Sequence, residues 1–259
     1  MFIGSVVSGN RKKKEKMLLY WNHKTLMKKK LLNILPFILT SLLVIGFWKL
    51  KTSTDNYAWN PAGKEILMLD IALTSIFLYK TLFWLIIANL IVFSIKQFIR
   101  KNFITVGLIC IFTITSYFLA GQYIDNKCAF HYYSVFHNQS VAEGYIESPI
   151  IEAGYHIGPI LTEKIINKDM KYRRYAIGGI EKIKFKPATQ TLRQILFDKS
   201  EFDVFRADAY QALNSFNTDE TEKILSEFRT HVGDSLDKKV IELGDYFIKN
   251  QWRIKNGSH

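Results

Sequence analysis

The chain has 259 residues and a mean hydropathy of +0.02, which sets a prior of one or two domains. Its formal charge of +12 is uneven: residues 1–123 carry 16 Lys/Arg against 4 Asp/Glu, whereas 124–259 carry 19 against 19. Phosphate binding needs basic residues gathered on one soluble face, and here they flank apolar runs, which argues against nucleic acid as a partner; two cysteines, Cys110 and Cys128, argue against a disulfide framework.

Residues 1–30 form a basic leader containing Arg11, Lys12, Lys13, Lys14, Lys16, Lys24, Lys28, Lys29 and Lys30. Together with Lys96, Arg100 and Lys101, which lie between two later apolar runs, this is the positive-inside pattern and predicts that both segments are cytoplasmic. Met27, just before a lysine triplet, reads as the start of a shorter leader, which makes 1–26 an upstream extension.

The membrane half covers 31–123. Residues 31–48 hold no charge, and 18 residues at a rise of 1.5 Å extend about 27 Å, close to a hydrocarbon core. Pro36 lies in the first turns, where its missing donor costs least, and Trp48, Lys49 and Lys51 supply an interfacial stop. No small-residue cleavage site follows, so the run is expected to be an anchor and not a signal peptide. The second run, 66–95, is 30 residues long, about 45 Å as a helix, which exceeds one perpendicular span. A core span is expected at 75–95, with 66–74 at the outer interface and Lys80 snorkelling outward. Asp70 and Lys80, ten residues apart on one helix, point about 80° away from each other and are not expected to pair. A hairpin within 66–95 stays open, and it would invert everything downstream. The third span is expected at 103–123, where Gly107, Thr113, Thr115, Ser116 and Gly121 let helices approach and hydrogen-bond. Three spans and a cytoplasmic N-terminus place the rest of the chain on the periplasmic or extracellular side of what reads as a bacterial inner membrane. The spans lack the Gly/Pro-broken segments in matching halves that mark a transporter site.

Residues 124–147 are aromatic-rich without clean periodicity and read as a juxtamembrane connector. Cys128, His131 and His137 follow C-x2-H-x5-H, a spacing with no second half to complete four ligands, so no metal is expected. No other cofactor and no small-molecule substrate is indicated.

From 148 to 250 the pattern becomes helix pairs. Residues 173–183 and 206–216 align at an offset of 33: Arg173 with Arg206, Ala176 with Ala209, Ile180 with Leu213 and Ile183 with Phe216. Each stretch follows another short amphipathic helix, 150–166 and 187–197, and a turn carrying Asp169 or Asp198. A weaker third unit has 221–232 as its first helix, then Leu236, Val240 and Phe247, with Gly244 where the second unit has Leu213. Residues 251–259 are a tail. These units resemble the HEAT-repeat, or armadillo-like, α-solenoids, in which a second helix opens with an apolar residue and Arg, followed by Ala. The resemblance covers about 100 residues and implies a concave protein-binding surface, with Arg173 and Arg206 paired to turn aspartates as packing determinants beside Ala176 and Ala209.

Lys171, Arg174, Lys182, Lys184 and Lys186 form a basic patch around the first unit, a candidate for anionic lipid head groups or an acidic partner. No nucleophile motif, zinc-protease motif or phosphate-binding loop is present, and enzymatic activity is not expected. The whole reads as all-α: about three transmembrane helices followed by a soluble HEAT-like domain. Such a chain is expected to be a membrane-anchored adaptor binding a protein partner outside the cytoplasm. The alternatives are an immunity-type protein neutralising an envelope-targeting toxin, or a non-catalytic subunit of a membrane complex.

Overall fold

The computed structural model describes residues 30–58, 63–140, 146–230 and 235–250. The leader before Lys30, the tail 251–259, and with them His23, His231 and His259, lie outside the described residues. Among those described, every element is helical apart from one isolated parallel bridge between Ala58 and Ser140. Three helices are long and apolar enough to cross a membrane: α1 (Lys30–Lys51), α2 (Lys64–Ile99) and α3 (Phe103–Asn138). The run 66–95 is one unbroken helix, so the hairpin alternative does not occur.

The chain divides into two compact units. The first comprises residues 30–48 and 81–117. Its large apolar side chains face outward, Leu43 at 74%, Ile104 at 82% and Leu108 at 65% exposure among them. Water would penalise each by roughly 1.5–3 kcal/mol, whereas hydrocarbon covers them, so this surface belongs in a bilayer. Asn89 donates to the Ser41 hydroxyl at 3.3 Å and to the Leu85 carbonyl at 2.7 Å, satisfying an amide at membrane depth. The α2–α3 turn closes with Lys101 in the left-handed region (φ 59°), its N–H bonded to the Phe98 carbonyl and that of Asn102 to the Gln97 carbonyl. This pairing satisfies carbonyls that a helix end leaves open.

The second unit comprises the described residues of 49–80 and 118–250. At 36 residues each, α2 and α3 extend about 54 Å, well beyond a hydrocarbon core of about 30 Å. The N-terminal part of α2 takes part in a protein core. Leu69, Ala72, Leu73 and Ile76, spaced as one helical face, are buried in the same core as Cys128, Ala129, Tyr132, Val135 and Phe136 of α3. Likewise 124–138 is not an irregular connector: α3 continues without a break to Asn138. Its inward stripe escapes a search for periodicity because Tyr123, Phe130 and Tyr133 add aromatic rings on other faces.

The remaining helices are α4 (Ser148–Ala153), α5 (Gly158–Lys164), α6 (Arg173–Lys182), α7 (Thr189–Phe197), α8 (Asp203–Phe216), α9 (Asp219–Thr230) and α10 (Ser235–Asn250). The helix expected at 150–166 is interrupted, because Gly154 takes φ 56° and Pro159 fits the start of a new helix. A short 3₁₀ turn, Gly154–Ile157, joins α4 to α5. Helix α8 packs against α6, α7, α9 and α10, while α7 packs on α9 and α6 on α4 and α5. With its neighbours on all sides, α8 buries polar as well as apolar positions, Arg206, Asp208 and Gln211 included. Gly244 in α10 is explained by contact: a Cβ there would lie 2.5 Å from the Tyr210 ring. In α10 the inward register also departs from expectation. Leu236 is 46% exposed while Asp237 turns inward, because buried Arg206 needs an anion there.

Candidate functional site

Two buried arginines organise the helix pairs. The Arg173 Nε donates to the Ile165 carbonyl at 2.6 Å, and its two terminal nitrogens donate to the Glu201 carboxylate at 2.8 and 2.7 Å. Its guanidinium lies 5.0 Å from the Phe205 ring centre. Arg206 repeats the arrangement one pair later: Nε donates to the Leu196 carbonyl at 2.8 Å, a terminal nitrogen to Asp237 at 2.5 Å, and the cation lies 5.6 Å from the Phe228 ring centre. Each arginine therefore joins a carbonyl of the preceding segment to a carboxylate of the following pair. The expected partners, the turn aspartates Asp169 and Asp198, are not the ones used. A buried guanidinium needs full satisfaction of its donors, and the carboxylates brought to it are Glu201 and Asp237, both buried. Ala176 and Ala209 are fully buried beside them, small enough for close helix approach.

Asp198 instead accepts from Lys168 at 2.8 Å and from the Ser200 hydroxyl and N–H at 2.6 and 2.9 Å. The Lys168 ammonium, then the two Ser200 donors, hold its carboxyl well below the usual carboxylate range, and Asp198 in turn raises Lys168. Beside this turn lies a cavity of about 180 Å³ lined by Lys168, Arg173, Gln194 and Glu201 among others. Its charged groups bond one another.

The basic patch is largely engaged in bonds within the fold. Lys171 donates to Glu65 at 3.3 Å, Arg174 to Asp208 at 3.0 Å, Lys182 to Glu147, and Lys184 to the Ser215 carbonyl at 2.7 Å. Lys186 is exposed. Three of the five are thus paired with carboxylates, while Lys184 and Lys186 have no carboxylate partner among the described residues.

Lys80 does not snorkel outward. It pairs with Asp125 of α3 and its side chain is only 13% exposed. His156 extends this network, its Nδ1 2.8 Å from the Asn126 side-chain oxygen and its Nε2 4.0 Å from Asp125. Sequence reasoning missed this cluster, because 45 residues separate Lys80 from Asp125 and only the α2–α3 pairing brings them together. Asp70, as expected, does not pair with Lys80; it accepts from the Thr54 hydroxyl at 2.5 Å. Cys128 is fully buried, His131 packs beside the Tyr79 ring and His137 stacks on Tyr133. Among the described residues no group of three or more His, Cys, Asp or Glu is placed to hold a metal ion. No protein-family model, curated protein or solved structure matches the chain.

Proposed function

We propose that the chain is a membrane-anchored helical-repeat adaptor of the HEAT-like kind, whose C-terminal domain binds a protein partner on the extracytoplasmic side of a bacterial inner membrane. The observation that carries this reading is the duplicated setting of Arg173 and Arg206, each bonded to a preceding carbonyl, a following carboxylate and an aromatic ring. Such nearest-neighbour ties are how stacked repeats bury a continuous core, and stacked repeats typically present extended binding surfaces. Charges spent as ties between neighbouring helices support a framework that holds a surface in shape for binding. The lysine-rich leader and the Lys96, Arg100 and Lys101 turn support a cytoplasmic placement of those segments, hence an external C-terminal domain.

The first test is the side of the membrane. Cys128, buried, is a poor reporter, so a Cys110→Ala, Cys128→Ala background with Ser226→Cys on the exposed face of α9 is used. A membrane-impermeant thiol reagent is expected to label Ser226→Cys in intact cells; labelling only after permeabilisation overturns the external placement. A photo-crosslinking residue at exposed Gln194 or Ser226 is then expected to give a discrete heterologous adduct in cells. Adducts at neither position overturn partner binding through this face.

A further inference from the structure

A second cavity, of about 390 Å³, lies where α1 ends and α2 begins, and nothing in the helical-repeat reading uses it. Its lining changes character along one face of α2. Asp70, Leu73, Thr74, Phe77 and Leu78 follow helical spacing, polar at the N-terminal end and apolar about two turns further on. Opposite them stand Lys49 and the hydroxyl run Thr52, Ser53 and Thr54, followed by Asp55.

The depth of this cavity follows from the sequence. Lys49 comes directly after the charge-free run 31–48, itself about as long as a hydrocarbon core is thick, so its ammonium sits at head-group level. A cavity at that depth, polar at one end and apolar at the other, matches a phospholipid entering head first. The charges select the head group. Two carboxylates and one ammonium leave the lining net negative, which disfavours an anionic lipid. Carboxylates seek N–H donors, which a quaternary ammonium lacks. The aromatic face that would hold a quaternary ammonium is that of Phe77, the one ring in the lining, and Lys49 lies over it at 5.8 Å from its centre. Asp70 is held in place by the Thr54 hydroxyl at 2.5 Å, and a carboxylate keeps acceptor capacity beyond one such bond.

The geometry points to a binding site for a zwitterionic phospholipid bearing a primary ammonium, of the ethanolamine type. Asp55 and Asp70 accept from the ammonium, Lys49 and the Ser53 hydroxyl donate to the phosphate, and Leu73, Phe77 and Leu78 carry the start of the acyl chains.

The test uses the full chain, reconstituted in nanodiscs holding equal amounts of ethanolamine, choline and glycerol phospholipids with identical acyl chains. After extraction into detergent, retained lipid is counted by native mass spectrometry. Charge-assisted bonds of the usual strength predict that the ethanolamine lipid is retained about tenfold over the other two. Asp70→Asn is expected to abolish this preference and Asp70→Glu to keep it. Lys49→Gln is expected to weaken retention of ethanolamine and glycerol lipids alike. Both positions are exposed, and an unchanged unfolding temperature in detergent confirms that each of the three variants folds. Equal retention of the three lipids by the wild type, preference for the glycerol lipid, or an undiminished preference in Asp70→Asn would each overturn the site. Soluble glycerophosphoethanolamine, which has the head group without acyl chains, is expected not to displace the lipid at equal concentration. Displacement by it would overturn the lipid assignment in favour of a site for the free zwitterion.

Discussion

Arg206 sits at 1% exposure and Asp237 at 5%, a pair removed almost wholly from water. Truncating the cation leaves the carboxylate buried without its partner, which costs about 3–5 kcal/mol, whereas replacing both by apolar residues of similar volume is often nearly neutral. Arg206→Met is therefore expected to lower the unfolding free energy by that amount, and Arg206→Met with Asp237→Leu to recover most of it. Equilibrium unfolding of the four members of this cycle in detergent measures the coupling. Asp198 behaves differently because it is exposed. Its carboxyl is held low in the folded chain, so the stability it contributes is fully present above the ordinary value of about 3.9 and is lost as pH falls through the lowered one. Titrating stability from about pH 5 down to about pH 2 should show a steeper loss in the wild type than in Asp198→Asn. Equal slopes would remove Asp198 from the acid limb.

At the scale of elements, α3 is the helix whose length matters most. Lys127 is exposed and lies within the part of α3 that packs by Cys128, Ala129 and Tyr132. Proline there deletes a helical N–H and clashes one turn back, at about 3 kcal/mol or more, whereas an irregular connector would accept it. Lys127→Pro is accordingly expected to destabilise the second unit strongly, read as a lowered unfolding temperature; a wild-type temperature would mean that 124–138 is not held as helix. The pairing of α2 with α3 was not visible along the chain for a related reason. The Lys80–Asp125 pair joins positions on separate helices, and helical spacing within either one carries no information about the other.

For the whole molecule, the two compact units treat their apolar side chains differently. The outward apolar side chains of residues 30–48 and 81–117 are matched to hydrocarbon, while the second unit buries a shared core that runs from Leu69 through Phe247. Guanidinium weakens aqueous burial and does little to a helix dissolved in a micelle. Unfolding in detergent is thus expected to lose only part of the helical circular-dichroism signal, with the remainder persisting at high denaturant. A single transition that removes all of it would mean that the units do not unfold separately.

The sequence by itself determined the three membrane helices, the all-helical class and the positions of Arg173 and Arg206, since each of these is written in local hydropathy or periodicity. It did not determine that α2 and α3 share one core with the helices that follow, because the α2 stripe is hidden among apolar residues on its other faces and the α3 stripe among aromatic ones. Nor did it determine the partners of the charges. Glu201 and Asp237 instead of Asp169 and Asp198, Asp125 for Lys80, and Glu65, Asp208 and Glu147 for the basic patch were decided by the tertiary structure. The reason is physical: hydropathy acts through each residue's own transfer from water, whereas an ion pair depends on a distance that only the packed helices fix.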